Sequence, residues 1–464
     1  MAQLYLDLSL PYTQQHRSQR AMLVDLLQQD LDFHDQNQRY SSHNFHSFPA
    51  KFPPQLPGKF ILNLTDPGDL VLDPMMGSGT TLLEALLNGR RGVGFDIDPL
   101  AELITRVKLT PLDGNQIGAA SETITANAKK SLKENSGRLK IDLEKRWNSE
   151  TRSFVDYWFT LDAQIELIAL LNEIEVLSDA RMKAFFKLAF SAIIITKSGG
   201  VSLALDLAHT RPHRARIALK KGGEIVYGGD LLADTTERTP MIKTLRSPIE
   251  EFAKKVQNNL QDLIAQVPEK IDPITSFGDA QMMPLSDASI DLIVTSPPYA
   301  SNAIDYMRAH KFSLVWLGYP LEGLSHKRTT YIGGESTNGF SFENLPSHTA
   351  EIVAKINQLD VKKGKVLLRY YSEMTRVLYE MYRVLKPGKS AIVIVGSSII
   401  RGIDTITHHC LAEIGEQIGF EVPAIGVRKL DRDRRMMPTG FKTNLDSQIQ
   451  QRMHEEYVIG YYKP

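Results

Sequence analysis

Two short strings hold the residues best placed to do chemistry. Asp73-Pro74-Met75-Met76-Gly77-Ser78-Gly79-Thr80-Thr81 follows an apolar run, Asp69-Leu70-Val71-Leu72, and precedes Leu82-Leu83-Glu84-Ala85-Leu86-Leu87, which reads as a helix. Strand, glycine turn and helix in that order form the context of a nucleotide-type cofactor site. Glycine lets backbone approach a ligand, and the first helical turn offers unpaired N–H groups to an anion. A P-loop is excluded, because no lysine follows in Gly79-Thr80-Thr81. Thr295-Ser296-Pro297-Pro298-Tyr299 ends a second apolar run, Ile290 to Val294. Its consecutive prolines fix the backbone and carry no N–H. The Pro297 carbonyl and Ser296 hydroxyl then remain as acceptors for an amine, and Tyr299 offers a ring face for stacking.

Further residues belong with these. Asp96 ends the strand Gly92-Val93-Gly94-Phe95-Asp96, where an acid hydrogen-bonds a ribose diol, and Ile97 follows it. Asp98, before Pro99, reads as a helix cap. Gly278-Asp279-Ala280 lies some ten residues before the strand into Ser296. Phe48-Pro49-Ala50-Lys51-Phe52-Pro53-Pro54 makes a stiff apolar wall, from which Lys51 can reach a carboxylate; a proline-rich loop with packing aromatics is the competing reading.

The glycine turn and Ser-Pro-Pro-Tyr together resemble motifs I and IV of the S-adenosylmethionine-dependent DNA amino-methyltransferases, which methylate the exocyclic amine of cytosine or adenine. Phe48–Pro54 is similar to their motif X and Ser276–Ala280 to motif III. The resemblance implies S-adenosylmethionine as cofactor, held by Phe48, Lys51, Asp73, Met75, Gly77, Ser78, Gly79, Thr80, Asp96, Ile97, Asp279 and Ala280. It implies catalysis by Ser296, Pro297, Pro298 and Tyr299 on an extruded base, without a metal. Serine at the first position leans toward cytosine N4, aspartate toward adenine N6. Ser301 to Leu317 extends the likeness to bacterial cytosine-N4 enzymes and places Asp305 and Tyr306 at the base, against a plain helix start. Met75-Met76 departs from the family, which usually has an aromatic after Asp-Pro; methionine fills similar apolar space. The alternatives are an adenine-N6 enzyme, an RNA guanine-N2 enzyme and a non-catalytic DNA-binding subunit.

The chain of 464 residues has a formal net charge of zero, so any grip on nucleic acid must be local. Arg211, Arg214 and Arg216, followed by Lys220-Lys221, form one basic cluster, and Lys327 and Arg328 lie in another stretch expected to meet duplex DNA. A solvated loop is the competing reading of the first cluster. A single cysteine, Cys410, suits a reducing cytoplasm, and no apolar run reaches membrane-spanning length. The expected partners are duplex DNA and a separately acting restriction endonuclease, with oligomeric state left open.

Alternating strands and helices predict an α/β fold with helices on both faces of a mostly parallel sheet. The family likeness makes it a Rossmann-like methyltransferase fold of seven strands, the last antiparallel. Residues 1–40 read as a leader with a helical stretch, and 41–114 as the first part of the core. Residues 115–270 form a largely helical insertion and candidate DNA-recognition region, and 271–320 the second part of the core. Polar, glycine-rich 321–365 reads as a flexible loop insertion, and 366–464 completes the core.

Overall fold

The computed structural model describes residues 18–207, 212–228, 241–263, 273–300, 305–430 and 455–464. Its frame is a seven-stranded sheet. Numbering only the strands of this sheet, these are β1 (Leu70–Asp73), β2 (Arg91–Asp96), β3 (Ile274–Phe277), β4 (Ile290–Thr295), β5 (Leu385–Val395), β6 (Glu421–Lys429) and β7 (Glu455–Tyr462). Their order is β6-β7-β5-β4-β1-β2-β3. Pairing is parallel from β3 across to β5, and β7 runs antiparallel to both β5 and β6. This is the sheet that the family likeness implies. All six residues of β4 are buried, as expected of a central strand covered on both faces.

Period-two alternation divides the strand side chains between two cores. Val71, Leu292, Val294, Ile392, Ile394 and Val458 face α1 (Gln19–Leu27) and α2 (Gln55–Leu64). Leu72, Ile293, Ala391, Val393 and Ile459 face the later helices of the chain. The predicted leader is therefore structural: Leu23, Leu26 and Leu27 of α1 are buried against the sheet. The approach is close enough that a Cβ at Gly460 would lie 2.4 Å from a Leu27 methyl.

The glycine turn leads into α3 (Thr80–Leu87), and β2 leads into α4 (Pro99–Leu109). The insertion then builds a third core from α5 (Gly114–Glu134), α6 (Ser136–Arg146), α7 (Ser149–Trp158), α8 (Leu161–Glu175), α9 (Ala180–Ile194) and α10 (Pro248–Gln261). A small three-stranded sheet of Ile217–Leu219, Ile225–Tyr227 and Ile242–Thr244 stands between α9 and α10 in sequence. The apolar stretch at Phe185 lies in α9, with Phe185, Phe186 and Phe190 fully buried; no helix among the described residues is long and apolar enough to cross a membrane. Trp316 joins this core just beyond α11 (Tyr306–Leu314).

The reading of 321–365 as a flexible loop is corrected. It contains α12 (Leu321–Arg328) and α13 (Ser347–Leu359), and its last five residues open α14 (Val361–Val384). The intervening turn is tied down by α14. Arg369, 5% exposed, donates from its guanidinium to the carbonyls of Ser336, Thr329 and Tyr331, and Glu373 accepts from Gly333 N at 2.7 Å. Arg369 and Glu373 also pair with each other across one helical turn. A buried Arg–Glu pair supplies many donors and acceptors, which is how a polar, glycine-rich stretch becomes ordered without an apolar period of its own. After α14 and β5, α15 (Thr407–Ile418) leads into β6.

Candidate functional site

β1 and β4 are parallel neighbours, with Val71 opposite Leu292 and Leu72 opposite Ile293. Their carboxyl ends therefore emerge side by side, although Asp73 and Ser296 are far apart in sequence. The two strings meet in one open cleft, lined by residues of both. Asp73 accepts a hydrogen bond from Thr295 Oγ1 at 2.7 Å, a direct link from one string's strand to the other's. Burial pushes the Asp73 carboxyl up to about 6, against the lowering effect of that bond.

The glycine turn is held from several directions. Gly77 N donates to Asp96 Oδ2 at 2.9 Å, Thr105 Oγ1 donates to Gly77 O at 3.1 Å, and buried Lys108 Nζ donates to Ser78 O at 2.6 Å. Gly79 caps α3 in the left-handed region, with φ of 72°. A Cβ there would lie 2.6 Å from the Thr105 methyl, so conformation and space both demand glycine. Gly77, Ser78 and Thr80 line the cleft, as do Asp73 and Met75; Gly79 stands behind the surface and shapes the turn.

Asp96 and Ile97 line the cleft from the end of β2, Asp279 and Ala280 from beyond β3, and Phe48 and Lys51 from the segment before α2. Lys51 donates to the His43 carbonyl at 2.9 Å, and burial drops its pKa to about 8. Asp96 accepts from Asp98 N at 2.8 Å as well as from Gly77 N. Burial, and then the neighbouring Asp98 charge, push its carboxyl up to about 7.

Asp98 is the α4 cap expected from the sequence, accepting from Leu100 N at 2.7 Å. It does more than cap. Its other oxygen meets His310 Nδ1 at 2.7 Å and accepts from Tyr331 Oη at 2.8 Å. Burial would raise this carboxyl, but those partners outweigh it and hold it below its ordinary value. Asp98, Tyr331 and Ile332 all line the cleft and were missed as site residues. The signal for Asp98 was present but was absorbed by its capping role. Tyr331 and Ile332 carried no signal, since they lie in the stretch read as loop.

At the end of β4, Ser296 and Pro298 line the cleft, while Pro297 is buried and Tyr299 half-buried beside it. Tyr306 lines the cleft too, stacked on Phe48 with ring centroids 5.1 Å apart and planes 25° apart. Asp305 is not a free base contact: its carboxylate pairs with Arg308 and with Arg328, each at 2.6 Å. Lys327 and Arg328, expected to face duplex DNA, have partners within the chain. Lys327 donates to Ile97 O at 3.1 Å and lies over the Phe277 ring. Arg214, likewise expected at DNA, donates to Tyr157 O at 2.6 Å and lies between the rings of Tyr157 and Tyr227. Arg216 is exposed, and Arg211 lies outside the described residues. No cluster of metal-ligating side chains occurs among the described residues.

The family model for N6/N4 methyltransferases, described as DNA methylase, matches residues 13–105, which include the Phe48–Pro54 wall and the glycine turn. The type II methyltransferase M.MvaI of Kocuria varians is 25% identical over 83% of this chain and 83% of its own. M.BsoBI of Geobacillus stearothermophilus, also a type II methyltransferase, is 21% identical over 83% of this chain and 80% of its own. M.MjaII of Methanocaldococcus jannaschii, a third, is 42% identical over 71 residues, 15% of this chain and 13% of its own. With the sheet order and the pairing of the two strings in one cleft, these likenesses support the N4/N6 family of DNA amino-methyltransferases for this chain, with S-adenosylmethionine as the cofactor.

Proposed function

We propose that the protein methylates the exocyclic N4 amine of cytosine in duplex DNA, extruding the base to do so, as the modifying enzyme of a restriction–modification system. One observation carries the cytosine assignment: Ser296 occupies the first position of the Ser-Pro-Pro-Tyr string and lines the cleft shared with the glycine turn. The cleft fits the cofactor. The α3 N-terminus leaves backbone N–H groups for its carboxylate, Gly77 keeps the approach clear of a side chain, Asp96 stands at the strand end where a ribose diol binds, and Asp279 and Ala280 lie beyond β3 where the adenine would meet them. When bound, S-adenosylmethionine supplies an electrophilic methyl group.

The chain's task is orientation. An exocyclic amine is a poor nucleophile because its lone pair is delocalised into the ring. Ser296 Oγ and the Pro297 carbonyl accept its two hydrogens and turn the lone pair toward the donor, which is catalysis by positioning. Tyr299 and Tyr306 provide ring faces for the base. No strong base is required, since the surplus proton can leave after the new N–C bond has formed. The type II names of the relatives support the restriction–modification setting, and a separately acting endonuclease as partner.

Expression in a methylation-free host, followed by mass spectrometry of digested DNA nucleosides, tests this. N4-methylcytosine is the expected product. N6-methyladenine would overturn the cytosine assignment, and unmodified DNA the whole reading.

A further inference from the structure

Stacking a base needs the ring of Tyr299 and makes no use of its hydroxyl, yet that hydroxyl is tied on two sides, to the Ser296 side chain and to a carboxylate across the sheet. Tyr299 Oη donates to Glu456 Oε1 at 2.8 Å. Glu456 stands on β7, separated from β4 by β5, so the bond reaches over a whole strand. Arg428 on β6 is directly opposite Glu456 in the strand register, and its guanidinium donates to the other carboxylate oxygen. The Arg428 and Glu456 side chains are only 8% and 12% exposed. Such a pair bears a desolvation cost that apolar side chains of equal size would avoid, so stability alone is a weak reason for it. What it supplies is direction. One carboxylate oxygen is fixed by the guanidinium, the other is presented to the phenol, and a charge-assisted bond fixes the hydroxyl end of the ring.

We propose, on the amino-methyltransferase reading above, that Glu456, oriented by Arg428, is a positioning residue for the reaction. It holds the Tyr299 ring at the angle at which an extruded base stacks beside Ser296. It touches neither base nor cofactor and acts through Tyr299 alone.

The test is a double-mutant cycle in the full chain. Glu456→Ala, Glu456→Gln, Tyr299→Phe and Tyr299→Phe/Glu456→Ala are compared for single-turnover transfer of labelled methyl to DNA from a methylation-free host. Affinity for S-adenosylmethionine, by calorimetry, reports an intact cofactor half. Loss of one hydrogen bond to a charged group corresponds to a rate decrease of roughly tenfold or more for Glu456→Ala, with cofactor affinity unchanged. Glu456→Gln still offers an oxygen to the phenol and should recover most of the rate. In the Tyr299→Phe background, Glu456→Ala should have no further effect, because the residue has nothing left to hold. Independent, multiplying effects of the two substitutions would overturn the proposal, as would an unchanged rate in Glu456→Ala. Should Glu456→Ala lose cofactor binding as well, the cycle of Glu456→Gln with Tyr299→Phe decides by the same criterion. A parent protein that methylates no DNA refutes the reading itself, and that failure is visible before any variant is compared.

Discussion

Asp96 already accepts two backbone N–H groups before any ribose arrives, and its carboxyl is pushed up to about 7, chiefly by burial. A ribose diol donates hydrogen bonds and so favours the ionised form. Cofactor binding should therefore lower the Asp96 pKa and release a proton. Affinity is then level above pH 7 and falls as the pH drops below it, by up to about tenfold per unit. Calorimetric titrations at pH 6 and pH 8 measure this, and Asp96→Asn should abolish the dependence. Asp96→Ala should weaken cofactor binding by roughly 1–3 kcal/mol and loosen the glycine turn at Gly77. Ser296→Ala should instead leave cofactor affinity intact and reduce methyl transfer, since the hydroxyl is assigned to the amine. A Ser296→Ala variant with weakened cofactor binding and normal turnover would contradict that assignment. The acid at the end of β2 and the serine before the prolines could be named from sequence because each sits at a strand end, and strand ends are legible as the last residue of an apolar run.

Between residues and the whole fold, the informative unit is the turn between α12 and α13. Arg369 and Glu373 hold its backbone, and it delivers Tyr331 and Ile332 to the cleft. Arg369→Ala leaves Glu373 buried without its cation, a change that costs about 3–5 kcal/mol in comparable buried pairs. Chemical denaturation should register that loss, and hydrogen exchange should rise first around residues 329–336. Uniform exchange across the molecule would mean that the pair does not act on this turn. This was also where the sequence misled. Helix α12 is short and has no apolar stripe, and the turn is polar and glycine-rich, so nothing local marks either as ordered. Their order comes from a long-range polar anchor on α14, which periodicity cannot report. By contrast β1 and β4 were legible because their apolar runs match the faces they bury. The first turn of α14 escaped because Val361 to Lys365 is largely exposed, with only Gly364 buried.

At the scale of the whole molecule, a chain of zero net charge must grip DNA through a few placed cations. Arg214 is a poor candidate, being held between Tyr157 and Tyr227 with its Nε on a backbone carbonyl. Arg214→Ala should leave the slope of log affinity against log salt unchanged while loosening the junction of α7 with the small sheet. Arg216→Ala, which removes an exposed charge, should flatten the slope by about one if that face meets the backbone. Equal slopes for the parent and both variants would remove this cluster from the interface.

The Thr295–Asp73 hydrogen bond joins the strand that ends in the cofactor turn to the strand that ends in Ser-Pro-Pro-Tyr. A bond across that seam predicts that the two ligands are thermodynamic partners. Any ordering of the Asp73 side by S-adenosylmethionine is felt at Thr295, and linkage is reciprocal: the factor by which cofactor tightens DNA equals the factor by which DNA tightens cofactor. Four affinities, each ligand with and without the other, close the cycle. Thr295→Val keeps the shape and removes the bond, and it should shrink both factors equally. If both factors keep their parental size, the two halves communicate by some other route than this bond.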